Sequence, residues 1–145
     1  MRTISFEINS NNDIWNLIDK NLDYILLDQF WPYETIEWWK TELKINNQVF
    51  DLKVRNMEFD LQTDLKGLEK ILNLKTNQFS VYQFEKSIPS TLVIKNLPIE
   101  NKESILKLNG LKHIFICEFE RLSISSIDDN FLDKIEQEVK SKQFK

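Results

Sequence analysis

Residues 111–122, with the sequence LKHIFICEFERL, form the stretch of the chain that decides the fold. The stretch is rich in β-branched and aromatic residues, which favour strands. Its side chains alternate between two faces, with His113, Phe115, Cys117 and Phe119 on one and Ile114 and Ile116 on the other. Because both faces are apolar, the pattern predicts an interior strand that is covered on both sides. Gly110 is expected to end a helix before this strand, and Ser125–Asp129 to begin one after it.

The other apolar patterns predict an α+β fold. Apolar residues at helical spacing predict an N-terminal helix over residues 13–28 and a C-terminal helix over residues 128–142. Period-two alternation predicts further strands over residues 2–8, 49–54 and 79–84, and a short apolar run predicts another over 91–95. We therefore expect a mixed or mostly antiparallel sheet of about five to seven strands, with both helices packed on it.

An alternative fold follows from a faint internal repeat over residues 50–120. The segment Leu52–Met57 resembles Leu92–Leu97, with Leu72–Asn77 between them and Ile114–Phe119 after them. A spacing of about 20 residues is typical of leucine-rich repeats. The alternative is therefore a series of short leucine-rich-like repeats, which would form a parallel sheet.

Length and composition predict a single globular domain over residues 1–145. The net charge of −4 argues against nucleic acid and anionic membranes as partners, and favours a neutral or basic protein. No apolar run approaches the roughly 20 residues that a membrane span needs, and no signal peptide is evident. The single cysteine fits a reducing compartment, so we expect a cytoplasmic protein.

The only histidine and the only cysteine, His113 and Cys117, lie four residues apart on the predicted strand. At the rise of a strand their side chains would be roughly 13 Å apart, which is too far for a nucleophile and its base. We expect Cys117 to be a core residue and His113 to be hydrogen-bonded locally at a strand end.

Acidic residues form two further groups that could carry chemistry. Asp128, Asp129 and Asp133 could bind a cation, but at a helix N-terminus such residues are more often caps. Glu118 and Glu120 would share a strand face about 6.6 Å apart, a separation that paired catalytic carboxylates also show. Since no catalytic or metal-binding motif accompanies them, we predict no catalytic residue, no metal and no cofactor.

Aromatic and acidic residues alternate between residues 30 and 43, in a segment that could be helix or strand. Aromatic side chains surrounded by charge are typical of interface hot spots. Six residues of this aromatic segment are therefore the predicted partner-binding site: Trp31, Tyr33, Glu34, Glu37, Trp38 and Glu42. Both readings place Trp39 in the core and turn Trp38 away from it.

In its small size, acidity and aromatic content the chain resembles bacterial immunity proteins, which block toxins. The resemblance is one of general character and involves no motif. It implies a non-enzymatic cytoplasmic module that binds and neutralises a toxin. Two alternatives stay open: a small-ligand-binding domain with an aromatic pocket, and a small enzyme that uses carboxylates. Partner identity, oligomeric state and strand order are also open.

Overall fold

The computed structural model describes residues 1–30, 51–55, 58–72, 78–89, 92 and 97–143. Within these ranges the chain forms seven strands and four α-helices. The strands are β1 (Arg2–Glu7), β2 (Tyr24–Phe30), β3 (Asp51–Arg55), β4 (Glu58–Thr63), β5 (Gln78–Phe84), β6 (Leu111–Glu118) and β7 (Arg121–Ser126). The helices are α1 (Asn11–Leu17), α2 (Leu65–Leu72), α3 (Lys102–Leu108) and α4 (Asp129–Gln143), and the 3-10 turn Ile99–Asn101 leads into α3.

The seven strands form one sheet in the order β1-β7-β6-β5-β2-β4-β3. Every neighbouring pair is antiparallel. The predicted α+β fold with a mostly antiparallel sheet is thus confirmed. The leucine-rich alternative is wrong for the described strands of residues 50–120, because they pair antiparallel and because β2 lies between β4 and β5.

Both faces of the sheet carry a hydrophobic core. Helices α1, α2 and α4 cover the face that we call the helical face, and α3 packs on the second face. The helical-face core includes Ile14, Leu27, Leu68, Val81, Phe115 and Leu132. The second-face core includes Leu26, Tyr82, Phe84, Leu106 and Leu111.

The predicted N-terminal helix over residues 13–28 is correct only in its first half. The helix ends at Leu17, and the chain re-enters the sheet as β2 at Tyr24. Ile25 and Leu27 lie in the helical-face core, whereas Leu26 lies in the second-face core. An interior strand that is covered on both faces has consecutive apolar residues, and this run continued the helical spacing by coincidence.

The predicted strand over residues 111–122 is a hairpin rather than one strand. Strand β6 ends at Glu118, and β7 begins at Arg121 after a two-residue turn. Phe119 lies in this turn with a positive φ of 57° and is 66% exposed, so it does not share the buried face of Phe115. Ser125 and Ser126, which were expected to begin a helix, belong to β7.

A bulge in β6 determines where His113 lies. Gln83 of β5 pairs with His113, and Phe84 pairs with Leu111, so Lys112 is an extra residue in the ladder. An extra residue shifts the alternation of a strand. Leu111 therefore lies in the second-face core, whereas His113 and Phe115 point to the helical face.

The predicted helix ends near residues 110 and 128 agree with the structure. Gly110 follows α3 with a φ of +93°, as expected for a residue that ends a helix. The Oδ1 atom of Asp128 accepts a hydrogen bond from the Phe131 N–H at 3.2 Å, and α4 starts at Asp129. On α4, Leu132 and Ile135 are buried against the sheet.

Among the helices in the described part of the chain, none has the length and apolar character needed to cross a membrane.

Candidate functional site

All six residues of the predicted partner-binding site lie outside the described residues. They are Trp31, Tyr33, Glu34, Glu37, Trp38 and Glu42, and they follow directly on β2, whose last residue is Phe30. The predicted core position of Trp39 lies outside the described residues as well. The aromatic segment therefore stays a prediction.

His113 is the centre of a buried polar network on the helical face. Its Nε2 atom lies 2.9 Å from Oδ2 of Asp19, and its Nδ1 atom lies 2.7 Å from Oγ of Ser126. The Asp128 N–H donates to the same Ser126 Oγ at 2.9 Å. One proton arrangement satisfies these contacts: a neutral imidazole donates from Nε2 to Asp19 and accepts from the Ser126 hydroxyl at Nδ1.

Gln83 and Phe131 complete the surroundings of this network. The buried Gln83 accepts from the Asp19 N–H at 3.1 Å and donates to the carbonyl oxygens of Asp19 and Leu22, which fixes the chain between α1 and β2. The ring of Phe131 on α4 stacks on His113 with 3.9 Å between centroids. The network thus joins the α1–β2 connection, three neighbouring strands and α4.

Burial and charge set the protonation of the pair. Burial lowers the pKa of His113 from its ordinary value of 6.5, and this effect outweighs the hydrogen bond and the charge of Asp19, which raise it. Burial also acts to raise the pKa of Asp19. Hydrogen bonds from His113 and the Asn21 N–H, with the charge of Lys112 and that of His113 once acid has protonated it, nevertheless keep the pKa of Asp19 below its ordinary value. The pair is therefore a neutral imidazole beside a carboxylate at neutral pH.

The residue types Ser, His and Asp are those of a hydrolytic triad, but their burial opposes that role. His113 is 0% exposed and Ser126 is 1% exposed, so the hydroxyl cannot approach a substrate in this conformation. The arrangement acts as a structural tie between distant segments. The predicted local hydrogen bond of His113 is wrong, because its partners are 94 and 13 residues away in the chain.

Sequence reasoning missed this network, although it left a signal. Gln83 and His113 occupy inward positions of apolar strands, and a buried polar side chain requires a hydrogen-bonding partner. The pattern could have shown that partners must exist, but the sequence did not identify Asp19 or Ser126 as those partners.

Cys117 is a core residue, as predicted. Its side chain is 1% exposed, and burial, followed by the charge of Glu118, raises the pKa of the thiol to about 11. A protonated, buried thiol is a poor nucleophile.

The acidic residues at the start of α4 pair with a basic residue. Arg2 on β1 contacts Asp129 at 3.7 Å and Asp133 at 2.7 Å, and it also pairs with Glu136. Asp128 caps the helix, so the four carboxylates have structural roles. Within the part of the chain that the structure describes, no group of three or more His, Cys, Asp or Glu side chains is placed to hold a metal ion.

The predicted pairing of Glu118 and Glu120 on one strand face is wrong. Glu118 is the last residue of β6, and Glu120 lies in the turn after Phe119. Because Phe119 has a positive φ, the alternation of the strand does not continue to Glu120.

The described surface has a groove where β1 meets α4, which we call the β1 groove. It consists of two openings of about 190 and 320 Å³ that share Phe6 and Val139. The apolar lining is formed by Ile4, Phe6, Ile8, Leu17 and Val139. Four acidic residues, Glu7, Asp13, Glu136 and Glu138, also line it, together with Lys140.

No family model, no curated protein and no solved structure matches this chain.

Proposed function

We propose that this protein is a non-enzymatic, cytoplasmic protein-binding module whose partner is a neutral or basic protein. Its specific role in this proposal is that of an immunity-type inhibitor that binds and neutralises a toxin. The partner would approach an acidic protein under long-range attraction, since the net charge is −4.

The β1 groove is the observation that carries this proposal. Its apolar lining offers area for burial, and four of the five ionisable residues that line it are acidic, of which Glu136 is paired with Arg2. An apolar surface with an acidic rim suits a partner that presents apolar and basic side chains together. The two openings share Phe6 and Val139 and together follow the chain from Thr3 to Asn9, so the groove is extended along β1. Protein side chains are therefore a better match for it than a small ligand.

The burial of His113 and Cys117 supports the non-enzymatic part of the proposal. These are the only histidine and the only cysteine in the chain, and both lie in the helical-face core. Each would require local opening before it could act on a substrate. Their roles in packing and hydrogen bonding are structural rather than chemical in this proposal.

We propose the aromatic segment as a second contact surface. Trp31, Tyr33 and Trp38 would supply the apolar anchors, and Glu34, Glu37 and Glu42 would supply charges that complement a basic partner. The proposal for this segment stands on its composition.

Affinity capture tests the function. The tagged full-length protein is incubated with lysate and washed at low and at high salt, and the retained proteins are identified and quantified. We expect one basic protein near one-to-one that is lost at high salt. Glu138→Lys should weaken its retention, whereas Glu100→Lys, an equal charge change on an exposed residue of the 3-10 turn, should not. Trp31→Ala with Trp38→Ala tests the aromatic segment separately.

An activity assay with the purified partner and the purified protein then tests the inhibitory role. If the partner is a toxin, stoichiometric addition of this protein should abolish its activity. Retention that is insensitive to salt and to Glu138→Lys would contradict the proposed use of the groove. Turnover of a substrate by the purified protein would contradict the non-enzymatic assignment.

A further inference from the structure

Strand β1 ends the sheet, since its neighbour β7 lies on one side and no other described strand pairs with it. We propose that β1 accepts an additional strand, namely an extended segment of a partner protein in which apolar and basic residues alternate. The inference rests on the proposed function for the location of the groove, and it adds the mode of binding and the chemistry of the bound segment.

The backbone of β1 identifies which groups would bind the added strand. The Ile8 N–H donates to the Glu120 carbonyl oxygen at 2.7 Å, so the backbone N–H and C=O of Ile8 point toward β7. The N–H and C=O of one residue point to the same side of an antiparallel strand, and successive residues alternate. The backbone N–H and C=O groups of Ile4 and Phe6 therefore also point toward β7. Those of Thr3, Ser5 and Glu7 point away from the sheet.

The β6–β7 hairpin gives the same assignment independently. A two-residue turn closes with a hydrogen-bonded pair, here Glu118 and Arg121, so Arg121 uses its backbone groups toward β6. The backbone groups of the next residue, Leu122, then point toward β1, where its register partner is Phe6. The Ile8 hydrogen bond and the hairpin therefore agree that the N–H and C=O groups of Thr3, Ser5 and Glu7 point outward.

The side chains beside this edge determine what the added strand carries. Residues of that strand on the helical face would enter the β1 groove beside Ile4, Phe6 and Val139, so they should be apolar. Residues on the other face would lie along Thr3, Ser5 and the carboxylate of Glu7, and these should be basic. From Thr3 to Glu7 the edge spans roughly 14 Å, which corresponds to about five residues of added strand.

Charge distinguishes a partner segment from a second copy of this chain. If two copies paired through β1, the carboxylates of both grooves would meet at one seam. Like charges across a strand pair are destabilising. Arg2 pairs with Glu136 of the groove and with Asp129 and Asp133 outside it, so it would not also neutralise the carboxylates of Glu7, Asp13 and Glu138. The geometry therefore favours a basic, extended segment.

A synthetic peptide tests the inference directly. The probe is a blocked heptapeptide in which Val and Lys alternate, and the control peptide has Glu in place of Lys. Amide hydrogen exchange of the full-length protein is measured by NMR at millimolar peptide. We expect the Thr3, Ser5 and Glu7 amides to gain at least about tenfold protection, while Ile4 and Phe6 stay unchanged. The Glu peptide should give no protection.

Two substitutions at one site separate the backbone contribution from the side chain. Ser5→Pro removes an outward N–H at an edge position that tolerates proline, so peptide affinity should fall by at least about tenfold. Ser5→Ala removes the hydroxyl contact with Ser123 but keeps the N–H, so peptide affinity should be retained. Equal loss in the two variants would show that the hydroxyl, and not the backbone, binds the peptide.

The possible failures can be told apart. Absence of Val-Lys peptide binding, or binding that leaves the three amides unprotected, would overturn strand addition; the proposed function is tested separately by capture of a basic partner. Self-association of the free protein that protects the same amides would show a second copy at this edge and would overturn the proposed occupant. Protection of the three amides by the peptide supports the inference even if lysate capture yields no partner.

Discussion

At the scale of single residues, His113 connects segments that are far apart in the chain. Its partners Asp19 and Ser126 belong to the α1–β2 connection and to the end of β7. A buried polar group that loses its partner costs about 1–3 kcal/mol, so each contact depends on the others. The folded state is therefore sensitive to the protonation of this one side chain.

We predict that stability falls when the pH drops below about 6.5. The pKa of His113 is lower in the folded chain than its ordinary 6.5, so between these values the unfolded chain binds a proton that the folded chain does not. Folding is thereby disfavoured by acid in this interval. The pKa of Asp19 is also lowered, so a further loss begins below its ordinary value of 3.8. Denaturant titrations across this pH range measure both.

The control is His113→Gln, which cannot titrate in this range. Its free energy of unfolding should be lower than that of the parent at neutral pH, because a buried contact changes, but it should vary less between about pH 7.5 and about pH 5. The carboxylates of Asp19 and Asp128 and the ammonium of Lys112 stay near residue 113 in both proteins. The same pH slope in both proteins would refute the assignment to His113.

Cys117 should react slowly with thiol reagents in the folded protein. Its thiol is buried and its pKa is raised to about 11, so little thiolate forms and little of it is accessible at neutral pH. Labelling with a chromogenic disulfide should be slow in buffer and rapid in denaturant. Fast labelling in buffer, at a rate unaffected by stabilising conditions, would contradict the core position.

At the scale of elements, the turn from α3 to β6 depends on Gly110. Its φ of +93° is unfavourable for other residues, and a Cβ atom there would lie 2.8 Å from Cγ of Lys86. The Gly110 carbonyl oxygen also accepts a hydrogen bond from the Glu85 N–H at 2.8 Å. The turn therefore sets the start of β6 and of the bulge that follows it.

Gly110→Ala should lower the free energy of unfolding by about 1–2 kcal/mol, which is the cost of a left-handed conformation for a residue with a Cβ. Thermal and urea unfolding measure the change. Ser104→Ala, at an exposed position of α3, is the matched control and should change stability by less than about 0.5 kcal/mol. A neutral Gly110→Ala would show that the turn adopts another conformation.

At the scale of the whole molecule, one sheet supports two cores. Strand β2 contributes Ile25 and Leu27 to the helical-face core and Leu26 to the second-face core, and β5 contributes to both in the same way. If either core were lost, one apolar face of β2 and β5 would be exposed to water. The two cores should therefore unfold together.

We predict a single cooperative transition in which both cores take part. Leu132→Ala in the helical-face core and Leu106→Ala in the second-face core should each lower the free energy of unfolding by about 2–5 kcal/mol. Tryptophan fluorescence and far-UV circular dichroism should report the same midpoint for each variant. Separate midpoints in the Leu106→Ala protein would show that the second core unfolds independently.

Local patterns were sufficient for the elements that have one buried face. The alternation of Ile4 and Phe6 predicted β1, and the apolar spacing of Leu132 and Ile135 predicted α4. They failed for β2, because its consecutive apolar residues, Ile25 to Leu27, also continued the helical spacing of α1. They also failed at residues 119–126, where Phe119 adopts a turn conformation that β-prone residues do not signal.

The sequence by itself determined the α+β class, the positions of most elements, the acidity and the burial of Cys117, because these depend on composition and on contacts between near neighbours. Tertiary structure alone decided that Asp19 and Ser126 meet His113, that Arg2 pairs with the carboxylates of α4, and that β1 ends the sheet beside an acidic groove. Each of these depends on strand order, which brings distant residues together through packing that no local pattern encodes.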